Sequence, residues 1–292
     1  MGCHIIITCG TSQLDNKKLT GPGSLGLALQ AIGFKDICSD LNQATETDNN
    51  IDWLRDQAVE RPLKEISKAL NQIISGNGIR WIGQKNNPIG AELSTLIVLF
   101  HEAKQAQSTA GAYIPDACTT FLSNTQIEPK DNLFYLVCSH TNQGMFAAGI
   151  IKEVISLQGW GEADIIPVCG LCEQPTNIDI ALQHFAEEIL KVLSNTGAEN
   201  GRPDKPVLFV ISGGFKSAIP CMTVSSLAFC IPMIYLFENS NELQILATYP
   251  AMSKLKNWIS AWEKISDLNP RSVPWFTALL DFRKRYPAKN WL

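Results

Sequence analysis

The sequence has no excess of basic residues and no long uninterrupted apolar segment. Its 24 Lys and Arg against 28 Asp and Glu give a formal net charge of −4 over 292 residues. This balance argues against a protein that coats nucleic acid through a broad basic surface. No stretch reaches 18 consecutive apolar residues, so we expect no transmembrane helix. No basic segment precedes the short apolar run at the N-terminus, so we expect no secretory signal and a cytoplasmic protein.

Several familiar site motifs are absent or incomplete. No G-x-x-x-x-G-K-[ST] motif is present, which excludes a P-loop NTPase. Cys169 and Cys172 form a single C-x-x-C pair, so we expect no zinc ribbon, and thiol redox chemistry is a minor alternative. The nine cysteines are odd in number and lie mostly in apolar runs, which predicts buried, reduced thiols. The four histidines do not cluster: His4, His101, His140 and His184.

What the sequence does contain is an alternation of short apolar runs with longer amphipathic segments. This alternation is typical of βαβ units and predicts an α/β fold with a mostly parallel sheet. We predict helices on both faces, a closing β-hairpin and a short helical C-terminal tail. The predicted strands are residues 4–9, 133–138, 164–168, 207–212, 232–237 and 243–248. The predicted helices are residues 51–75, 90–107, 144–157, 178–193 and 218–230.

Four loops follow the carboxyl ends of the predicted strands, the edge at which open parallel sheets bind ligands. The loops are rich in glycine, hydroxyl and amide groups, and main-chain N–H groups at such turns suit anions. Any one of them alone is also compatible with an ordinary βα turn, but the four together favour a polyanionic ligand. The candidate ligand-binding residues are Gly10, Thr11, Ser12, Gln13, His140, Thr141, Asn142, Gly144, Gly170, Leu171, Gly213, Gly214, Phe215 and Lys216.

Four segments carry a resemblance to a known family. The runs 5–12, 90–96 and 231–238 resemble segments of CRISPR-associated Rossmann-fold (CARF) proteins, and Gly213-Gly214-Phe215-Lys216 is similar to that family's Gly-Gly-[Phe/Tyr]-Lys turn. The resemblance covers roughly residues 1–250. It implies a Rossmann-like CARF domain over residues 1–253 and leaves residues 254–292 as an aromatic, helical C-terminal extension. We expect this extension to pack on the domain or across a dimer.

The resemblance also implies a function. CARF proteins pair as homodimers around a symmetric pocket for a cyclic oligoadenylate, and some members, the ring nucleases, cleave it. The usual ribonuclease effector, the HEPN domain, carries Arg-x₄₋₆-His, and none of the four histidines here has an Arg at that spacing. The sequence therefore favours a stand-alone ring nuclease that switches off type III CRISPR signalling. Two alternatives stay open: a non-catalytic CARF sensor that regulates a partner effector, and a nicotinamide-dependent enzyme. The last depends on Gly21–Gly26, which matches G-x-G-x-x-G but begins a dozen residues after the first strand.

The resemblance assigns roles to three catalytic candidates. A ribose 2′-OH attacks the neighbouring phosphorus and gives a 2′,3′-cyclic phosphate, with no metal ion and no cofactor. Lys216 stabilises the charge on the phosphate, and Ser12 or Thr11 orients the 2′-OH. No strong general base is evident, and His140 is a candidate. Cyclic tetra-adenylate is the expected ring, since a two-fold pocket matches a four-fold ring.

Overall fold

The structure is a computed structural model of the chain. It describes residues 2–10, 54, 57–84, 87, 89–108, 127–171, 178–196, 205–214, 218–229, 231–237, 240 and 242–246. The motif Gly21–Gly26 and the predicted C-terminal extension, residues 254–292, lie outside the described residues.

The described strands form one mostly parallel sheet, which confirms the predicted α/β, Rossmann-like fold. Their spatial order is β3-β2-β1-β4-β5-β6. The first five strands in this order are parallel to one another. β6 pairs antiparallel with β5, as predicted for the closing hairpin. The strands are β1 His4–Thr8, β2 Asn132–Ser139, β3 Gly161–Val168, β4 Val207–Val210, β5 Met233–Leu236 and β6 Leu243–Leu246.

Five α-helices lie within the described residues, together with a short 3₁₀ helix at Gly78–Trp81. Among these helices, none combines the length and the apolar composition needed to cross a membrane. The α-helices are α1 Gln57–Ser75, α2 Ala91–Ser108, α3 Asn142–Leu157, α4 Ile178–Asn195 and α5 Ala218–Phe229.

The sheet is covered on both faces, because the side chains of each buried strand alternate between two apolar layers. On β1, Ile5 and Ile7 pack with α1, α2 and α3, whereas Ile6 packs with α4 and α5. The central strand is therefore buried completely, and β1 exposes none of its side chains. This arrangement explains the continuous β-branched run at residues 5–7, which suits a strand with no solvent face.

Several element boundaries differ from the predicted ones, each for a local reason. β3 begins at Gly161, three residues before the predicted start, because main-chain pairing with Asn132 extends it through residues of low β-propensity. β4 ends at Val210, since Ser212 already belongs to a turn. α3 begins at Asn142 because the Thr141 hydroxyl oxygen accepts the Gly144 N–H at 3.1 Å and caps the helix.

The buried side chain of Asn132, the first residue of β2, joins three segments at the amino ends of the parallel strands. Its Oδ1 accepts the Cys3 N–H at 2.8 Å, which aligns the start of β1. Its Nδ2 donates to the carbonyl oxygens of Glu128 and Trp160 at 2.9 and 3.0 Å. The amide therefore ties the start of β1 to the segments before β2 and β3, and the Trp160 carbonyl oxygen also accepts the Asn132 N–H at 3.3 Å.

We expect Asn132→Ala to lower the free energy of unfolding by about 1–3 kcal/mol, because the buried Cys3 N–H loses the acceptor that Asn132 Oδ1 provides. Urea unfolding followed by circular dichroism measures this loss. Asn71→Ala is the matched control, because half-buried Asn71 bonds only a side chain among the described contacts, Gln158 at 2.7 Å. Equal losses in the two variants would contradict the role assigned to Asn132.

Candidate functional site

The strand order creates a crevice between the carboxyl ends of β1 and β4. The described helices that follow β1 in sequence, α1 and α2, pack on one face of the sheet, and α5, which follows β4, packs on the other. At this point the strand order reverses direction, since β2 and β3 lie to one side of β1 and β4 and β5 to the other. Open α/β sheets bind ligands at such a switch point.

Three glycines bring the two turns at this crevice into main-chain contact; we call Gly10, Gly213 and Gly214 the glycine junction. A Cβ placed on Gly10 would lie 2.7 Å from the Gly214 nitrogen. Gly214 has φ +90°, and a Cβ there would lie 2.9 Å from the Thr8 Cβ. The Thr8 hydroxyl donates to the Gly213 carbonyl oxygen at 2.6 Å. These positions require glycine because side chains would separate the two turns.

A buried carboxylate lies against the glycine junction. Glu92, the second residue of α2, is fully buried, and its Oε1 accepts the Gly10 N–H at 2.6 Å. On the other side, a Cβ on Gly213 would lie 1.9 Å from the same oxygen. Because Glu92 takes the Gly10 N–H, Gly10 contributes close approach at this site rather than a hydrogen bond donated to a ligand.

The start of α2 is also linked to the ends of β4 and β5 by hydrogen bonds through Ser212. Thr95 Oγ1 and Ser212 Oγ lie 2.5 Å apart, and Ser212 Oγ accepts the Leu236 N–H at 3.0 Å. Thr95 is fully buried. One helix turn, carrying Glu92 and Thr95, thus contacts the ends of β1, β4 and β5.

Sequence reasoning missed Glu92, Thr95 and Ser212 as members of the site. Glu92 and Thr95 lie in the run 90–96, which carries part of the family resemblance. The available signal was an acidic residue between Ala91 and Leu93 in a segment, 91–100, whose other residues are apolar apart from Ser94 and Thr95. A Glu in such a segment is buried only with polar partners.

A second group of predicted residues lies at the ends of β2 and β3. His140 directly follows β2, and its N–H donates to the Val168 carbonyl at 3.0 Å. Its Nδ1 lies 3.1 Å from the Sγ of Cys169, the first residue after β3. This pair was not expected, although Ser139 and Val168 are register partners in parallel strands, which makes the residues after them neighbours.

Two residues of this second group, Thr141 and Gly144, make contacts that hold the start of α3 against the end of β2. Thr141 Oγ1 accepts the Gly144 N–H and also lies 2.9 Å from Ser139 Oγ. A Cβ on Gly144 would lie 2.1 Å from Ser139 Oγ, so the close approach of helix and strand requires glycine. Asn142, the first residue of α3, is half-buried.

Gly170 and Leu171 form the turn after β3. Gly170 has φ +80°, which favours glycine at this position. Leu171 is 3% exposed and packs in the apolar layer shared with α4 and α5. The Leu171 side chain is therefore part of the core, and its main chain is what it can offer a ligand.

The structure thus brings Gly10, Gly213 and Gly214 together and places the predicted residues between His140 and Leu171 along the same edge. Five predicted site residues lie outside the described residues: Thr11, Ser12, Gln13, Phe215 and Lys216.

The described cysteines divide into two classes. Burial raises the pKa of Cys3 to about 11 and that of Cys138 and of Cys221 to about 12. Burial also raises the pKa of Cys9 well above its ordinary value, and the nearby Glu92 charge adds to the effect. Cys169, in contrast, is exposed, which departs from the prediction of buried thiols because the residue stands beyond the end of its strand.

We expect iodoacetamide at pH 8 to modify Cys169 before the four buried cysteines. The thiolate is the reactive form, and a pKa of about 12 leaves about one thiol in 10,000 ionised at that pH. Peptide mass spectrometry of the native protein measures the order of labelling, with protein in urea as the control in which all should react. Labelling of Cys138 or Cys221 as fast as Cys169 in the native protein would contradict this expectation.

Comparison with known families places most of the described site in a CRISPR-associated family. Residues 87–248, more than half of the chain, match the family described as CRISPR-associated protein (Cas_APE2256). The matched region begins just before α2 and continues past β6, so it includes Glu92 and two of the three junction glycines. No curated protein matches the chain.

Proposed function

The chain belongs to the CRISPR-associated protein (Cas_APE2256) family, and from this membership and the glycine junction we propose that it is a ring nuclease of the CARF type. Its substrate is a cyclic oligoadenylate, and we favour cyclic tetra-adenylate. Cleavage of the ring ends a CRISPR signal.

The observation that carries this proposal is the contact between Gly10 and Gly214 at the switch point of the sheet. Ser12 follows Gly10 by two residues, and Lys216 follows Gly214 by two. Two residues of chain span about 7 Å at most. Ser12 and Lys216 therefore lie within about 7 Å of the glycines that precede them. Glycine-rich crevices at this edge of a parallel sheet bind phosphates.

The reaction needs positioning and charge stabilisation. The ribose 2′-oxygen forms a bond to the neighbouring phosphorus while the bond from phosphorus to the 5′-oxygen breaks. The 2′-OH loses its proton, and the leaving 5′-oxygen gains one. Lys216 stabilises the negative charge that develops on the phosphate, together with the Gly213 and Gly214 main chain, and Ser12 or Thr11 orients the 2′-OH.

The contact between His140 and Cys169 bears on the candidate base. If Nδ1 carries the proton and donates it to the Cys169 sulfur, Nε2 is the acceptor and can take a proton from a 2′-OH. The other tautomer leaves no acceptor on the ring for substrate. General-base catalysis contributes about 10²–10⁴-fold to rate. The contact with Cys169 selects the His140 tautomer and so decides whether His140 can act as the general base.

The site is completed by a second copy of the chain in this proposal. One protomer offers one Lys216 and one hydroxyl pair, whereas a four-fold ring carries four phosphates. A two-fold axis through the pocket supplies a second set.

We expect a homodimer with about twice the 32.1 kDa chain mass at micromolar protein in the presence of cyclic tetra-adenylate. Light scattering after size exclusion measures the mass. A 32.1 kDa species under these conditions would contradict the shared pocket.

We expect Lys216→Ala to lower the single-turnover rate of ring cleavage by about 10²–10³-fold, because a preorganised charge partner is lost. Ser12→Ala should cost about ten-fold, the value of one orienting hydrogen bond. The assay incubates protein with cyclic tetra-adenylate in EDTA and separates the linear products.

Lys64→Ala is the control, because Lys64 is an exposed α1 residue paired with Glu60 and far in sequence from every predicted site residue. Equal rates for wild type and Lys216→Ala would reject the catalytic assignment. Tight binding of a ring that is recovered intact would instead identify the non-catalytic sensor.

A further inference from the structure

Glu92 poses a physical problem at an edge that is expected to bind a polyanion. A carboxylate removed from water carries a large desolvation cost unless it is well hydrogen-bonded. Near phosphates it would also repel the ligand. A fully buried Glu at this place therefore performs a task that an apolar side chain cannot.

The contacts of Glu92 indicate what that task is. Its Oε1 accepts the Gly10 N–H at 2.6 Å, a short bond typical of a charged acceptor. A Cβ on Gly213 would lie 1.9, 2.2 and 2.8 Å from Oε1, Cδ and Cγ of Glu92. The three atoms nearest to that Cβ all belong to Glu92. One carboxyl group thus holds the turn after β1 by a hydrogen bond and fills the space beside the turn after β4.

We propose that Glu92 is a positioning residue that holds Gly10, two residues before Ser12, against Gly213, three residues before Lys216. This role rests on the proposed ring-nuclease function. Glu92 orients the Gly10 peptide group by accepting its N–H, and its carboxyl group occupies the space beside Gly213. In-line attack requires the 2′-OH and the phosphate to be aligned closely, and a misplacement of about 1 Å can cost about 10²-fold in rate.

Three substitutions separate position from charge. Gln keeps the length and the acceptor oxygen but removes the charge. Asp keeps the charge but withdraws the oxygens by one methylene, about 1.5 Å. Ala removes both. A positioning residue is rescued by Gln and not by Asp, whereas a group that acts through its charge shows the reverse order.

The experiment measures single-turnover cleavage of cyclic tetra-adenylate and binding of its 2′-O-methyl analogue, which cannot be cleaved by 2′-OH attack. We expect Glu92→Ala and Glu92→Asp to lower the rate at least about 10²-fold and Glu92→Gln less than about ten-fold. Analogue binding should weaken less than the rate falls, since alignment is lost more than affinity. Glu102→Gln is the control on the same helix, with wild-type values expected.

A second arm tests the contact with Gly213. Gly213→Ala places a methyl group where the Glu92 carboxyl stands, so it should lower the cleavage rate when made alone. In the Glu92→Ala background that space is open, and the double variant should be no slower than Glu92→Ala. Additive losses would show that the two residues act separately and would overturn the proposal.

A third readout does not depend on activity. Amide hydrogen exchange at Gly10 should accelerate in Glu92→Ala and stay near wild type in Glu92→Gln, because only the first loses the acceptor of the Gly10 N–H. Unchanged exchange at Gly10 in Glu92→Ala would overturn the positioning role. So would a Glu92→Gln variant that cleaves the ring as slowly as Glu92→Ala. If the wild-type protein neither binds nor cleaves the ring, the ring-nuclease function fails, and hydrogen exchange still decides whether Glu92 orders the turn.

Discussion

Main chain touches main chain where the turn after β1 meets the turn after β4, and the candidate site depends on this contact. It exists because Gly10, Gly213 and Gly214 have no side chains at the point of approach, and the Thr8 hydroxyl holds it from below through the Gly213 carbonyl. The described helices that follow the two strands in sequence, α1 and α2 after β1 and α5 after β4, pack on opposite faces of the sheet. A ligand in this crevice therefore contacts both halves of the fold, and any residue that spreads the turns changes the site without touching the ligand.

Helix α2 joins this contact to the rest of the domain. Its first two turns place Glu92 against the glycines and Thr95 against Ser212, which also accepts the Leu236 N–H of β5. Polar groups here are buried in a helix otherwise packed on the sheet by Leu93 and Leu96. Such a network is stable only when every member keeps its partner, which makes the site rigid but sensitive to single substitutions.

The fold class could be predicted from the sequence, but the tertiary contacts that hold the site together could not. The β-branched run at 5–7 and the loops with glycine at strand ends follow local rules, so a mostly parallel sheet and the common edge of its loops could be inferred, whereas the spatial order of the strands could not. Burial of Glu92 is a tertiary property, since the same helix pattern is compatible with an exposed carboxylate in a first turn. The contact between His140 and Cys169 also needed the register of β2 and β3, which no local pattern specifies. Lys216 and Ser12, the residues with the clearest chemical roles in the sequence, lie outside the described residues.

The central position of β1 has a consequence for how the chain is made. Cys3 is joined to Asn132 across 129 residues, and Thr8 is joined to Gly213 across 205. β1 is the first of the described strands to be synthesised, yet both of its neighbours in the sheet come much later. At a translation rate of about 5–20 residues per second, the interval before β4 exists is about 10–40 s. Until then β1 lacks its partner on that side of the sheet, and closure of such distant pairs makes the sheet slow to form. The glycine junction is accordingly assembled late, after the ribosome has delivered most of the domain.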